Sequence, residues 1–277
     1  MILDSIASTV QLANDVPMPW LGLGVFRTQE GEEVEQSIQW ALDAGYRSID
    51  TARIYANEVG VGRAIHRSGV PRTEVFVTTK VWNSDQGYAS TLKAFDESLE
   101  RLGMSYVDLY LIHWPVKGKF RDTWRALETL YAEGRARAIG VSNFLVSHLE
   151  ELRVGASVVP MVNQVEFHPY LQQPALQDFC RKHGIRLEAW SPIMKGEAVS
   201  EPTLAAIGQR HGKNGAQVAL RWILQKGVVA IPKSVKKNRI EANADIFDFE
   251  LTPDEMHQID GLDRHHRYGP DPDNFNF

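Results

Sequence analysis

Eight short β-rich apolar runs, each followed by a stretch of helical periodicity, leave this chain few folds to choose from. The runs are LGLGV (Leu21 to Val25), SID (Ser48 to Asp50), VFVTTK (Val75 to Lys80) and VDLYLIHW (Val107 to Trp114). They continue with ARAIGVS (Ala136 to Ser142), MVNQVEF (Met161 to Phe167), RLEAWS (Arg186 to Ser191) and VVAIPKS (Val228 to Ser234). Between them apolar residues recur three and four apart, as at Val34, Ile38, Ala41 and Leu42, at Leu92, Phe95, Leu99 and Leu102, and at Trp124, Leu127 and Leu130. Glycine often closes these helical stretches, at Gly45, Gly103, Gly134 and Gly184, where a left-handed C-cap is expected. Strands that each return through a helix must be parallel. Eight such units in this length favour a closed (β/α)8 TIM barrel over an open doubly wound sheet. The open sheet would want a phosphate loop after its first strand. Gly22 and Gly24 are followed by Arg27, so G-x-G-x-x-G fails at its last glycine and the pair reads as a tight backbone passage. Upstream, VQLANDVPMP alternates and turns at Asn14-Asp15, which predicts a small N-terminal hairpin capping the barrel's bottom. No linker, repeat or low-complexity segment interrupts residues 1–277, so one barrel domain is expected.

Composition excludes several function classes. The net charge of −5 leaves no electrostatic footprint for nucleic acid or an anionic membrane. The lone Cys180 cannot form an internal disulfide, which favours a reducing compartment. The start MILDSIASTV lacks a basic region followed by a long apolar run, and no stretch approaches the roughly 18 apolar residues of a membrane helix. A cytoplasmic monomer acting on a small molecule is expected.

In such a barrel the site lies at the C-terminal ends of the strands. Those ends carry Asp50, Lys80, His113, Ser142 with Asn143, Gln164 inside its strand, Ser191, and Lys233 with Ser234; Tyr55 follows Asp50 by five residues. Singly, each has an ordinary explanation: Asp50 as a helix cap, Lys80 in solvent, His113 as a satisfied core histidine. Their collection at one face is what points to a site. The chemistry that fits is proton donation beside a hydride acceptor, since a carbonyl accepting hydride develops negative charge on oxygen. Tyrosine's ordinary pKa near 10 makes it a weak acid unless a cation lowers it. Lys80 is placed to supply that charge, Asp50 to hold Lys80, and His113 to orient the carbonyl. Metal catalysis is the weaker reading, because the chain lacks H-E-x-x-H and any closely spaced His/Cys set; His265-His266 lies in a polar tail.

These residues sit in longer motifs. GYRSIDTARIYANE (Gly45 to Glu58), VTTKVWN around Lys80 and LYLIHWP around His113 resemble the catalytic segments of the aldo-keto reductase family. IGVSNF, MVNQVEFHP, EAWSP and IPKSVKKNRIEAN are similar to its cofactor-binding stretches. The similarity runs from about Val10 onward, nearest to the microbial branch of 2,5-diketo-gluconic acid reductases, glyoxal/methylglyoxal reductases and trypanosomatid prostaglandin F synthases. SDQGY (Ser84 to Tyr88) and YGPDPDNF (Tyr268 to Phe275) resemble the last two groups. The resemblance implies NADPH-dependent reduction of aldehydes and ketones by a tetrad of Asp50, Tyr55, Lys80 and His113, with Tyr55 as general acid. It further implies that Ser142, Asn143 and Gln164 bind the carboxamide, that Trp190 stacks on the nicotinamide, and that Ser191 and Pro192 lie along the pyrophosphate. Lys233, Ser234 and Arg239 would clasp the 2′-phosphate, which a guanidinium and an ammonium together recognise well, and Asn243 would touch the adenine.

The chain also departs from the family pattern. Ala242 stands where many animal members have a glutamate, Trp190 where they have tyrosine, and Phe26 where a pocket tryptophan is common. Trp82 and Trp114 are the remaining expected pocket walls. Arg53 replaces a small residue between the aspartate and the tyrosine, and either alters the pocket's charge or points outward. Nine residues separate Trp114 from Trp124, so the roofing loop of animal members is missing. With the short tail, this predicts an open site with loose substrate selection. Two other functions fit the fold: a regulatory subunit that binds NADPH without turnover, which the intact tetrad disfavours, and a lyase using Lys80 as a Schiff base, which the cofactor clasp disfavours.

Overall fold

The computed structural model describes residues 3–277, so the first two residues of MILDSIASTV lie outside it. Strands β1 (Thr9–Gln11) and β2 (Pro17–Pro19) pair antiparallel, with Val10 opposite Met18. Asp15 turns between them at φ 64°, and the Asn14 amide donates to the Arg137 carbonyl at 2.9 Å, which seats the hairpin on the barrel's N-terminal end.

Eight parallel strands follow: β3 (Leu23–Gly24), β4 (Ser48–Asp50), β5 (Phe76–Val81), β6 (Val107–Ile112), β7 (Ala136–Ser142), β8 (Val162–Glu166), β9 (Arg186–Trp190) and β10 (Val229–Ala230). Each pairs with its neighbour in sequence. The sheet closes on itself through a parallel bridge from Leu21 to Ala230, backed by Gly22 N–H donating to the Ala230 carbonyl at 2.9 Å. The two glycines serve this closure. A Cβ on Gly22 would lie 2.8 Å from Ser48 Oγ, and one on Gly24 would lie 3.1 Å from the Ile231 carbonyl. The tight passage expected of G-x-G is therefore the barrel's seam.

Strands β5, β6 and β8 are buried along their whole length, as strands with covered faces must be. The helices Glu32–Asp43, Tyr88–Leu102 and Phe120–Ala132 bury the apolar stripes read from their periodicity, including Ile38, Phe95 and Leu127. All four expected C-cap glycines have positive φ, from 63° at Gly103 to 95° at Gly45. The first and last strands are shorter than their apolar runs, because bridging hydrogen bonds rather than a long ladder join them. His113 and Trp114 fall just past β6, and Lys233 and Ser234 fall in the loop past β10. Among the described residues no helix is long and apolar enough to cross a membrane.

Candidate active site

The end of β4 delivers Asp50, and a 3₁₀ turn at Arg53–Tyr55 brings Tyr55 back over it. Buried Asn57 holds that turn: its amide donates to the Val25 and Thr28 carbonyls at 2.9 and 3.1 Å, and it accepts from the Thr51 hydroxyl at 2.7 Å. Lys80, wholly buried in β5, donates from Nζ to Asp50 Oδ1 at 2.7 Å, to the Thr51 carbonyl at 2.9 Å and to the Tyr55 hydroxyl at 3.4 Å. His113 stands edge-on to Tyr55, with ring centroids 5.7 Å apart, and its Nδ1 has no partner among the described residues. The four expected catalytic residues thus converge.

Their electrostatics correct one expectation. Burial, the largest influence on Tyr55, raises its pKa above 10, and Lys80 only partly offsets it. Tyr55 therefore stays protonated, and the effect of Lys80 is to ease the loss of that proton. Burial also works against the Lys80 charge, but Asp50, by its charge and its hydrogen bond, holds the ammonium above its ordinary value. Burial, reinforced by Lys80, drives His113 well below 6.5, so its imidazole is neutral near pH 7.

Beside this group lie the residues expected to meet a carboxamide. Gln164 donates from Nε2 to Asp50 Oδ2 at 2.7 Å and to Glu188 Oε2 at 2.8 Å. Asn143, held at φ 63°, donates to the His113 carbonyl and to Ser142 Oγ, and accepts from Trp190 Nε1 at 2.9 Å. Ser142 donates to the Gln164 carbonyl at 2.8 Å. One network therefore fixes the indole of Trp190 at the end of β9, and Ser191, at φ 53°, and Pro192 continue from it.

Lys233, Ser234, Arg239 and Asn243 lie farther out, on the loop after β10 and on the helix Lys237–Ala244. Arg239 is exposed and pairs with no carboxylate among the described residues, whereas Lys237 pairs with Glu241. Burial lowers the Lys233 pKa; Glu33 opposes this and Arg27 adds to it. Two neighbouring cations and an unpaired guanidinium are what an anion would neutralise. Arg27 was not singled out in the sequence, because only its place beside Lys233 marks it.

Phe26 packs against Tyr55 at 5.0 Å and Trp82 against His113 at 5.1 Å, so both rings lie against the tetrad. The short tail folds back onto this side of the site. Phe277 stacks on Trp82 at 5.9 Å and meets Trp114 edge-on at 5.2 Å, and Phe275 lies 5.1 Å from Trp114. Asn83 donates to the Phe277 carbonyl at 3.0 Å. The tail thus packs on Trp82 and Trp114, the two tryptophans expected as pocket walls. Arg53 turns toward Asp85, 3.5 Å away, at the rim. Among the described residues no cluster of three or more His, Cys, Asp or Glu could hold a metal.

The sequence pattern of the Aldo/keto reductase family matches residues 20–264. The chain is 59% identical to glyoxal reductase of Bacillus subtilis, covering 99% of each chain. It is 56% identical to 9,11-endoperoxide prostaglandin H2 reductase of Trypanosoma cruzi, covering 96% of this chain and 95% of that one. The crystal structure of a Gox0644 mutant in complex with NADPH superposes with a TM-score of 0.93 at 44% identity, over 97% of this chain and 98% of that one.

Proposed function

The chain belongs to the aldo/keto reductase family, and from that premise we propose that it uses NADPH to reduce 2-oxoaldehydes such as methylglyoxal, and aromatic aldehydes, to alcohols, with Tyr55 as the general acid. One observation carries the reading: a fully buried Lys80 joins Asp50 to the Tyr55 hydroxyl beneath an aromatic cleft. The chain's own residues fit the cofactor. Exposed Arg239, which pairs with no carboxylate among the described residues, and disfavoured Lys233 suit the 2′-phosphate, with Ser234 and Asn243 beside them. The pinned indole of Trp190 suits the nicotinamide face, with Ser142, Asn143 and Gln164 around its carboxamide. When bound, NADPH supplies the hydride.

The protein's part is then to hold the carbonyl and deliver one proton. Neutral His113 and the Tyr55 hydroxyl orient the carbonyl oxygen as charge grows on it. Tyr55 is protonated at rest, so the proton is in place, and Lys80 stabilises the phenolate left behind. Asp50 keeps Lys80 charged and aimed. Phe26, Trp82 and Trp114 exclude water from one side of the cleft, with Phe275 and Phe277 behind them. Purified protein should oxidise NADPH steadily when methylglyoxal is added. Tight NADPH binding without turnover on any carbonyl would favour a regulatory role instead, and a borohydride-trapped lysine adduct would favour a lyase.

A further inference from the structure

Glu188 is a carboxyl group that the tetrad does not use. It lies in β9, wholly buried, inside the barrel below the cleft. Its Oε2 accepts from Gln164 at 2.8 Å, while its Oε1 has no partner among the described residues. The ionisable groups that act on it are Asp50 from β4 and Lys80 from β5, and it in turn bears on Tyr55. Burial, with the like charge of Asp50, pushes Glu188 up to about 8. Near neutrality it therefore serves Gln164 as an acceptor without placing a second full anion beside Asp50.

An amide nitrogen has two hydrogens, and the Gln164 amide gives one to Asp50 and the other to Glu188. Turning the amide over would set its oxygen against the Asp50 carboxylate and lose that charge-assisted bond. The orientation is thus chosen by chemistry, and it leaves Gln164 Oε1 without a donor among the described residues. Asn143 offers no replacement donor, since both of its amide hydrogens are held by the His113 carbonyl and Ser142 Oγ.

We propose that Glu188 is a positioning residue which, with Asp50, clamps the Gln164 amide so that its oxygen can act only as acceptor for the N–H of the cofactor's carboxamide. The proposal rests on the reading of Gln164 as a carboxamide ligand. It makes the site selective for a carboxamide over a ring substituent of the same size that cannot donate. The sequence motif EAWSP contains Glu188, but only the fold reveals that its side chain meets Gln164 across the barrel.

The test compares NADP⁺ with its 3-acetylpyridine analogue, in which a methyl replaces the donating NH₂. Affinities are read from tryptophan fluorescence quenching in wild type, Glu188→Leu and Glu188→Gln, with thermal melts to confirm folding. Wild type should bind NADP⁺ roughly three- to tenfold more tightly than the analogue, the range of one net hydrogen bond. Glu188→Leu should lose most of that ratio by weakening NADP⁺ while leaving the analogue nearly unchanged. Glu188→Gln, which retains an acceptor for Gln164, should keep the ratio; a role in folding alone would instead weaken both cofactors together. Equal weakening in Glu188→Leu, or loss of the ratio in Glu188→Gln, would overturn the proposal even if the leucine variant folded poorly. No preference in wild type would remove the reading of Gln164 itself, and the proposal with it.

Discussion

Replacing Lys80 by methionine probes the buried charge arrangement most severely. The ammonium is 0% exposed and makes bonds of 2.7 Å to Asp50 and 2.9 Å to the Thr51 carbonyl. Without it, Asp50 keeps, among the described residues, only the Gln164 amide as partner, inside a site where it is 2% exposed. Breaking a buried pair by removing one partner costs about 3–5 kcal/mol, because the remaining charge is uncompensated. A second change, Asp50→Asn, removes that stranded charge at nearly constant shape. The Asp50→Asn/Lys80→Met double variant should therefore recover most of the lost stability, leaving it within about 1–2 kcal/mol of wild type. Turnover should not recover, since Tyr55 loses the cation that eases departure of its proton. Urea unfolding followed by tryptophan fluorescence gives the stabilities, and NADPH oxidation gives the rates. A Lys80→Met protein within about 1 kcal/mol of wild type would refute the reasoning, as would a double variant no more stable than the single one.

Three further outcomes are expected. Arg239→Ala should weaken NADPH roughly tenfold to hundredfold and leave NADH nearly unchanged, since one charge-assisted contact is worth about 1.5–3 kcal/mol; equal weakening of both cofactors would place the clasp elsewhere. Trp114→Ala should reduce kcat/KM for 4-nitrobenzaldehyde more than for methylglyoxal, because the small substrate reaches less of that wall, whereas equal losses would make Trp114 a support for the tail. Glu188 has its folded pKa raised from 4.5 to about 8, so the stability of its neutral form is complete below 4.5 and lost as pH rises through about 8. Glu188→Gln, with no proton to lose, should gain on wild type across that window by up to ~1.4 kcal/mol per pH unit and level off above it; a pH-independent difference in unfolding free energy would contradict this.

Much of the barrel was legible because its strands are short, buried and bounded by turn residues. Ser48–Asp50 and Ala136–Ser142 agree with the apolar runs residue for residue. The runs at Leu21 and Val228 overstate their strands, because apolar packing continues where the seam is held by single bridging bonds. Asp50, Lys80 and His113 stand out because three chemically distinct polar residues fall at neighbouring strand ends, with Tyr55 five residues past the first. The raised pKa of Tyr55 was not legible, since burial is a property of the assembled cleft. Phe275 and Phe277 lie in a Pro- and Asp-rich tail with no periodicity, and only the folded chain lays them on Trp114 and Trp82. Glu188 did leave a signal, a carboxylate at the centre of a strand buried on both faces.

Tyr55→Phe tests the proposed chemistry most directly. The variant removes one oxygen and keeps the ring against Phe26, 5.0 Å away, and beneath Lys80, whose Nζ lies 5.0 Å from the ring centre. NADPH affinity, read by fluorescence, should stay within about twofold of wild type, while kcat for methylglyoxal falls by about 10² or more. Turnover near the wild-type rate, with NADPH still bound, would mean that the proton comes from another group.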